Sequence, residues 1–308
     1  MYNNVILRKT QDNQSDINQS IKEIMELMNY NFKNKINNID IKPNLCYYWD
    51  YSTGYTTDPK IVKGIINFLE EKYGNNINVR IVESDATAMR TKHVFKILGY
   101  EKIFENTNVE LFNLSEDEII EKEICISNKN IKLQVPKSLL NTDLFINVPK
   151  MKIMRDVYIT CALKNIFGCI AKRRKIIYHK YLDETIVGIN SILHPHITIV
   201  DGIFALSRTP IKLNLLMGGE NPFSIDWVAS KIMGYDPRNI PFLKIAKKNN
   251  LGNPNDIKII GEKISTFRSI FPNESPLLSK LSFNTLFYLL KIYAKLTGDI
   301  IPPVLEGI

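Results

Sequence analysis

The sequence predicts an α/β protein built on a doubly wound, mostly parallel sheet, with a second α/β lobe packed against it. Three observations carry this prediction. Short strand-like apolar runs alternate with amphipathic helical patterns from the start of the chain to about residue 115. The same alternation resumes at residue 143. Small and polar residues follow the ends of the strand-like runs, where open α/β sheets bind ligands.

The first stretch contains a well-marked helix that follows a strand. Asp58 stands where an N-cap belongs, Pro59 fits the first helical position, and Gly74 closes the helix. Helical patterns also lie at 17–28 and between the third strand and Leu98. The predicted strands are 5–8, 39–45, 78–83 and 109–114, and the extended runs 121–127 and 131–136 predict a hairpin.

The second stretch repeats the strand and helix patterns and ends in a long apolar segment. Its predicted strands are 143–149, 196–204, 212–217 and 257–261, and its predicted helices are 157–170, 175–193, 222–233 and 240–249. The segment 275–298 has the length and the lysines of a packed helix or a homodimer contact rather than of a membrane helix. The predicted units are therefore an N-terminal lobe at 1–118, a second lobe at 119–265 and a helical extension at 266–308.

Composition places the chain among ordinary globular proteins. It has 308 residues, of which 44% are hydrophobic and 23% charged, enough to bury a sizeable core. The four cysteines form no CxxC pair, which is typical of reduced thiols in the cytoplasm. There is no apolar run of membrane-spanning length and no signal-like start, so we expect a cytoplasmic protein without a membrane span.

The positive charge is concentrated in one segment. The net charge is +8, and residues 145–182 contain nine basic residues and one acid. The remaining basic and acidic residues, 31 of each, cancel. An AT-rich coding sequence would explain many lysines but not their concentration, so this segment predicts contact with an anion.

Polar residues at the predicted strand ends form the candidate binding site. Turn chemistry alone explains any one of these groups, but five groups on one predicted edge favour a common cleft. The residues predicted to bind substrate are Lys42, Asn44, Thr56, Thr57, Ser84, Asp85, Lys150, Lys152, Asn165, Gly218 and Gly219.

The predicted helix 157–170 supplies the catalytic candidates. Cys161, Lys164, Asn165 and Gly168 are three or four residues apart and would share one stripe. A lysine on a helix is commonly only a solvated charge, but this one follows a basic loop. The candidates are Lys164, Cys161 as a nucleophile of low pKa, and Asp201 as an acid, a base or the partner of a lysine.

Metal and nucleotide sites are not indicated. The histidines show no helical ligand spacing and the cysteines are scattered, so no metal site is predicted. The sequence contains neither GxGxxG nor the P-loop pattern GxxxxGK[ST], and the cofactor is left unknown.

Several segments in order resemble the family called domain of unknown function 362. They are IKPNL at 41–45, TTDP at 56–59, FINVPKMK at 145–152, ALKNIFG at 162–168, VDGI at 200–203 and SIDWVASKIMGYDP at 224–237. The resemblance implies an α/β fold with a shared polar site but no agreed reaction. This chain has Ile153-Met154 where members often have Thr-His, and it lacks the ferredoxin-like cysteine cluster that many members carry.

These observations predict a cleft for a small anionic molecule, a carboxylate or a phosphate, in a protein that we expect to be an enzyme. Lys150, Lys152 and Lys164 would neutralise the anion. One alternative is a redox protein that works with a separate iron–sulfur partner. Another is a nucleic-acid or polyanion binder that uses the basic run 172–175. The absence of interleaved aromatic residues argues against that use, and favours a solvated loop for the run.

Overall fold

A computed structural model of the protein describes residues 3–74, 77–87, 89–154 and 157–272, together with positions 292 and 296. The strands are β1 (Asn3–Lys9), β2 (Asn38–Pro43), β3 (Asn78–Glu83), β4 (Val109–Asn113), β5 (Ile119–Ile126), β6 (Lys129–Pro136), β7 (Leu144–Val148), β8 (Lys150–Met154), β9 (Tyr158–Thr160), β10 (Ile197–Leu206), β11 (Pro210–Gly219) and β12 (Ile257–Gly261). The α-helices are α1 (Gln14–Met28), α2 (Pro59–Tyr73), α3 (Thr91–Ile97), α4 (Tyr100–Phe104), α5 (Lys137–Leu140), α6 (Ala162–Ile166), α7 (Leu182–Asn190), α8 (Pro222–Ile232), α9 (Pro241–Lys248) and α10 (Ile264–Arg268).

One large sheet organises the fold. Its strands lie in the order β12-β1-β11-β10-β7-β2-β3-β4, and β8 pairs with both β10 and β9. Along the eight-strand path the pairs are parallel except for the two that involve β11. The prediction of an α/β fold with a mostly parallel sheet is confirmed.

Strands from both predicted lobes share this sheet. β7 and β10 of the second stretch lie between β2 and β11, and β1 lies between β11 and β12. The predicted hairpin is present as β5 and β6, which form a separate two-stranded sheet. The sheet thus offers no boundary at residue 118, and the division into lobes stays a prediction. The predicted helix and dimer contact at 275–298 lie outside the described residues, apart from two positions.

Helices cover both faces of the sheet and bury two apolar cores. On one face, Ile21 of α1 and Ile65 of α2 pack with strand residues such as Ile146. On the other face, Ile186 of α7 and Val228 of α8 pack with the strand residues whose side chains point away from α1 and α2. Burial on both faces accounts for the near-continuous apolar runs of the central strands. In the described part of the chain, we find no helix with the length and apolar character needed to cross a bilayer.

The predicted helix 157–170 is wrong in its first third. Tyr158–Thr160 forms β9, which pairs antiparallel with β8, and α6 begins only at Ala162. Tyr158 has a φ of 66°, in the left-handed region that interrupts a right-handed helix. The predicted helix 175–193 likewise divides into a 3-10 helix at Lys175–Tyr181 and α7.

The placement predicted for Gly218 and Gly219 is also wrong. Because β11 runs antiparallel to β10, these two residues pair with Ile199 and Thr198 near the amino end of β10. A Cβ at Gly218 would collide with Ile24 of α1, so the absence of a side chain permits helix-to-sheet packing there. They are packing residues rather than part of the lysine cluster described below.

Candidate functional site

The strand β8, absent from the sequence prediction, brings two lysines into the interior. Lys150 and Lys152 are two residues apart, so they project to the same side of the strand, while Met151 joins the apolar core on the other side. Both lysines are almost wholly buried, with exposed fractions of 0% and 2%. Burial of two ammonium groups is costly unless each finds polar partners.

Lys150 is neutralised within the protein. Its Nζ lies 2.8 Å from Asp201 Oδ2, and both side chains are fully buried. Asp201 also accepts hydrogen bonds from the backbone N–H groups of Asp58 and Ile203, at 2.9 and 3.2 Å. The carboxylate predicted to be catalytic therefore serves as the counter-charge of Lys150 and as a backbone acceptor.

Lys42 is neutralised in the same way by Glu83 at the end of β3. The Lys42 Nζ to Glu83 Oε2 distance is 2.7 Å, and Lys42 also donates to the Pro43 carbonyl at 2.6 Å. Gly168 lies against this pair, since a Cβ there would be 3.2 Å from Lys42 Nζ. Lys42 and Lys150, both predicted to bind substrate, are therefore already paired with carboxylates of the protein.

Lys152 differs from the other two lysines. Its Nζ donates to Asn44 Oδ1 at 2.8 Å and to the Tyr55 carbonyl at 3.0 Å. Within the described residues no carboxylate lies within ion-pair distance of it. Burial, together with the positive charges of Lys164 and Lys150, lowers the pKa of Lys152. Lys152 is thus a buried lysine held only by neutral oxygen atoms.

Three asparagines connect Lys152 to the strands. Asn165 of α6 accepts from Asn44 Nδ2 at 2.9 Å, and its own amide donates to Asn147 Oδ1 at 2.8 Å and to the Lys42 carbonyl at 3.1 Å. Asn147 in turn donates to the Ala162 carbonyl at 3.0 Å. The amide of Asn165 therefore fixes the position of α6 over the ends of β2 and β7.

A second polar group surrounds Lys175. This lysine is buried and its Nζ donates to Ser84 Oγ at 2.6 Å and to the Asp85 carbonyl. Burial lowers the pKa of Lys175 to about 8. The side chain of Arg173 is 56% exposed, and its Nε lies 3.0 Å from Asp85 Oδ2. The expectation that 172–175 is only a solvated loop is therefore wrong for Lys175, whereas Arg173 is exposed and also paired with Asp85.

The threonines predicted to bind substrate make structural hydrogen bonds. Thr57 Oγ1 donates to the Val148 carbonyl at 2.8 Å and accepts from the Asn44 N–H at 2.9 Å, which ties β2 to β7. Thr56 Oγ1 donates to the Trp49 carbonyl at 2.6 Å. Both hydroxyl groups are engaged with the backbone, so they position the loop that carries Asn44.

The two catalytic candidates on or beside α6 have different surroundings. Lys164 is half-buried, with its Nζ 4.2 Å from the centre of the Phe167 ring, and it lies close enough to act on the pKa of Lys152. Cys161 is fully buried, and burial and the Asp226 charge raise its pKa well above the usual range. The interpretation of Cys161 as a low-pKa nucleophile is wrong, because only the thiolate is reactive.

Asp226 of α8 holds the start of α6. Its carboxylate accepts the backbone N–H groups of Ala162 and Leu163 at 2.6 and 3.0 Å. Burial raises the pKa of Asp226 to about 7. No side chain of α6 itself caps this helix, so Asp226 supplies the cap from a distant part of the chain.

The structure brings most of the predicted residues to one edge of the sheet. Lys42, Asn44, Thr57, Ser84, Lys150, Lys152, Asn165 and Asp201 are connected through the contacts above. Sequence reasoning missed Glu83, Asn147 and Lys175 as members. The sequence offers an indication for Asn147, which is a polar residue within the apolar run LFINV. It offers none for Lys175, which is one of four consecutive basic residues.

The two grooves of the structure lie away from the lysine cluster. Two grooves, of about 350 and 410 Å³, are lined by residues of α1 and α2 and by residues at the amino ends of β2 and β3. The lysine cluster lines neither of them. Over the described ranges, no three His, Cys, Asp or Glu side chains are grouped as a metal site requires.

A pH-dependence prediction follows from Asp58, which is buried beside Asp201. Burial and the Asp201 charge raise the pKa of Asp58 from 3.8 to about 7. Because the folded-state pKa is raised, the stabilising contribution of this carboxyl is present below 3.8 and is lost as pH rises through about 7. Between pH 5 and 8 the free energy of unfolding of the wild type should fall by about 2–3 kcal/mol relative to Asp58→Asn.

Asn is a suitable replacement because it retains the helix cap that Asp58 Oδ1 provides to the Lys60 N–H at 2.8 Å. Urea denaturation of both proteins at the two pH values measures the difference. Asp226 titrates in both proteins, so its contribution cancels. Parallel pH profiles would show that Asp58 is ionised throughout this range.

A cluster of buried lysines, carboxylates and amides at the carboxyl edge of a mostly parallel sheet defines this chain as an α/β protein with a polar site. Residues 39–231 match the family described as Domain of unknown function (DUF362), and the chain belongs to that family. The matched range contains all the cluster residues named above, which agrees with the predicted resemblance.

The proteins that are similar to the chain include one from Synechocystis sp. and one from Thermoanaerobacterium thermosaccharolyticum. The thylakoid-associated protein sll1697 of Synechocystis sp. is 29% identical over 133 residues, which are 39% of this chain and 41% of that protein. The chain thus spans less than half the length of that relative. The lactate racemase apoprotein of Thermoanaerobacterium thermosaccharolyticum aligns in structure with a TM-score of 0.40 and 12% identity, over 74% of this chain and 56% of that chain.

Proposed function

We propose that the protein binds a small molecule bearing a carboxylate or a phosphate beside Lys152, and that it is an enzyme acting on this molecule. The observation that carries the proposal is the burial of Lys152 without a carboxylate partner among the described residues. A bound anion would supply the missing counter-charge. Lys42 and Lys150 already have Glu83 and Asp201, so their role is to support the site.

Half-buried residues surround Lys152, which supports access of a ligand from solvent. Asn44, Cys46, Tyr55 and Lys164 are all half-buried. Asn44 and Tyr55 contact Lys152 directly, and the positive charge of Lys164 lowers its pKa. In this proposal Lys164 adds a second positive charge and the Asn44 amide orients the anion.

The lowered pKa of Lys152 supports an enzymatic role. A lysine with a pKa nearer to neutrality exchanges protons more readily at physiological pH than an ordinary lysine does. Lys152 would then act as an acid or base toward the anion that it binds.

The four cysteines are all free thiols, which supports the cytoplasm as the compartment.

The nucleic-acid alternative has less support. In its basic run, Arg173 pairs with Asp85 and Lys175 donates to Ser84. At least two of the four charges of the run are therefore engaged within the protein. The alternative of a redox protein with a separate iron–sulfur partner stays a prediction.

Melting temperatures test the proposal. Sulfate, phosphate and succinate should raise the melting temperature of the wild type, with a shift that follows the logarithm of their concentration above the dissociation constant. Chloride at matched ionic strength should give a smaller shift, because it only screens charge. Lys152→Met should lose the selective shift and should be at least as stable as the wild type without anion, because it removes a buried charge.

The matched control is Lys63→Met, on the exposed face of α2, which should keep the full shift. A selective shift that persists in Lys152→Met would locate the anion elsewhere and contradict the proposal. Equal shifts with chloride and with the divalent anions would also contradict it.

A further inference from the structure

An aromatic loop lies directly beside Lys152. Residues 47–55, YYWDYSTGY, contain five aromatic side chains. Trp49 is 54% exposed, and its ring stacks on that of Tyr55 with centres 5.8 Å apart and planes 30° apart. An exposed stacked pair offers a flat apolar surface of the kind that binds planar groups.

The stacked pair lies next to the buried lysine. The Tyr55 carbonyl accepts from Lys152 Nζ at 3.0 Å, and the same Nζ lies 5.9 Å from the centre of the Tyr55 ring. A molecule whose anionic group reaches Lys152 would therefore place its next atoms against Tyr55 and Trp49.

The structure holds this loop in one conformation. Thr56 Oγ1 donates to the Trp49 carbonyl at 2.6 Å, and the Arg90 N–H donates to the Tyr48 hydroxyl at 3.2 Å. Gly54 has a φ of 76° and approaches the Ala205 carbonyl so closely that a Cβ would lie 2.7 Å from its oxygen. Tyr47 has a φ of 60°, an unusual value for a bulky residue. The exposed ring of Trp49 thus stands on a fixed support.

We propose that the anionic ligand carries a planar, aromatic or conjugated ring that stacks on Trp49 and Tyr55 while its carboxylate or phosphate meets Lys152. This inference rests on the proposed function and narrows its ligand class. It explains why a large aromatic side chain is left exposed beside a buried charge that lacks a counter-ion.

Benzoate, cyclohexanecarboxylate and benzyl alcohol are the probes, because they separate planarity from charge. Titration calorimetry should give a dissociation constant for benzoate at least fivefold lower than for cyclohexanecarboxylate, which has the same charge and a similar size but no flat ring. Benzyl alcohol should bind at least tenfold more weakly than benzoate. The chain has two tryptophans, so Trp227→Phe leaves Trp49 as the fluorescent reporter, and benzoate should change its emission saturably.

Two variants locate the ring. Trp49→Leu should raise the dissociation constant of benzoate at least fivefold and leave the sulfate-induced rise in melting temperature unchanged. Tyr55→Leu should act in the same direction, because it removes the ring but keeps the carbonyl that accepts from Lys152.

The outcomes distinguish this inference from the proposed function. Equal affinities for benzoate and cyclohexanecarboxylate, with the sulfate shift intact, would overturn the ring and leave the anion site standing. Unchanged benzoate affinity in both variants would also overturn it. Loss of the sulfate shift from the wild type would overturn both proposals together.

Discussion

Replacement of Asp201 by Asn should lower the free energy of unfolding by about 3–5 kcal/mol, because Lys150 would remain buried without its counter-charge. The two side chains are fully buried and 2.8 Å apart, so solvent cannot replace the lost carboxylate charge. Asn keeps one acceptor oxygen, which can serve the Asp58 N–H but not also the Ile203 N–H, because these two groups bond to different oxygens of Asp201, so the loss combines the ion pair with one backbone hydrogen bond. Urea denaturation measures the effect.

A double-mutant cycle separates the ion pair from the rest of the site. Lys150→Met alone should also destabilise, since it leaves Asp201 buried and unpaired. The combination Lys150→Met with Asp201→Asn should cost less than the sum of the single changes by about 2 kcal/mol or more. Simple additivity would show that the pair does not stabilise the fold, and it would restore Asp201 as a candidate catalytic carboxylate.

Replacement of Asp226 by Ala should cost about 2–5 kcal/mol, because two buried backbone N–H groups at the start of α6 would lose their only described acceptor. Asp226→Asn should cost roughly half as much, since one amide oxygen can replace only part of the carboxylate. Thermal and urea denaturation measure both. Asp236→Ala, at an exposed carboxylate paired with Arg238, is the matched control and should have only a small effect.

The Asp226 variants should also weaken anion binding, because α6 carries Asn165 and Lys164. A stable Asp226→Ala protein with unchanged anion-induced shift would show that α6 is held in place by other contacts. Asn165 is the alternative anchor, through its bonds to Asn147 and the Lys42 carbonyl.

The fold was largely predictable from the sequence, because apolar periodicity and caps act locally. Asp58, Pro59 and Gly74 predicted α2, and the structure places the cap, the first residue and the end of that helix at these positions. β9 was not predictable in this way. Its sequence at 158–160 continues the apolar spacing of α6, and its conformation depends on pairing with β8.

The site was predictable in composition but not in its charge pairing. Lys42, Lys150 and Lys152 look alike in the sequence, as basic residues after apolar strands. Only the sheet order decides that Glu83 reaches Lys42, that Asp201 reaches Lys150, and that Lys152 meets neutral oxygens. Gly218 and Gly219 lie away from the cluster because β11 runs antiparallel to β10. The sequence could not predict this, because the apolar pattern of a strand is the same in either direction.

The hydrogen bonds that join the cluster have a consequence for how the protein folds. The bond from Asn165 to the Lys42 carbonyl joins residues 123 positions apart, that from Lys152 to Asn44 spans 108, and that from Lys175 to Ser84 spans 91. Each such contact requires closure of a long loop before it contributes any stability. We therefore expect the lysines to be buried late in folding, after β2, β3, β7 and β10 have been assembled. In such an intermediate their charges would still be hydrated and would oppose association of the open sheet edges.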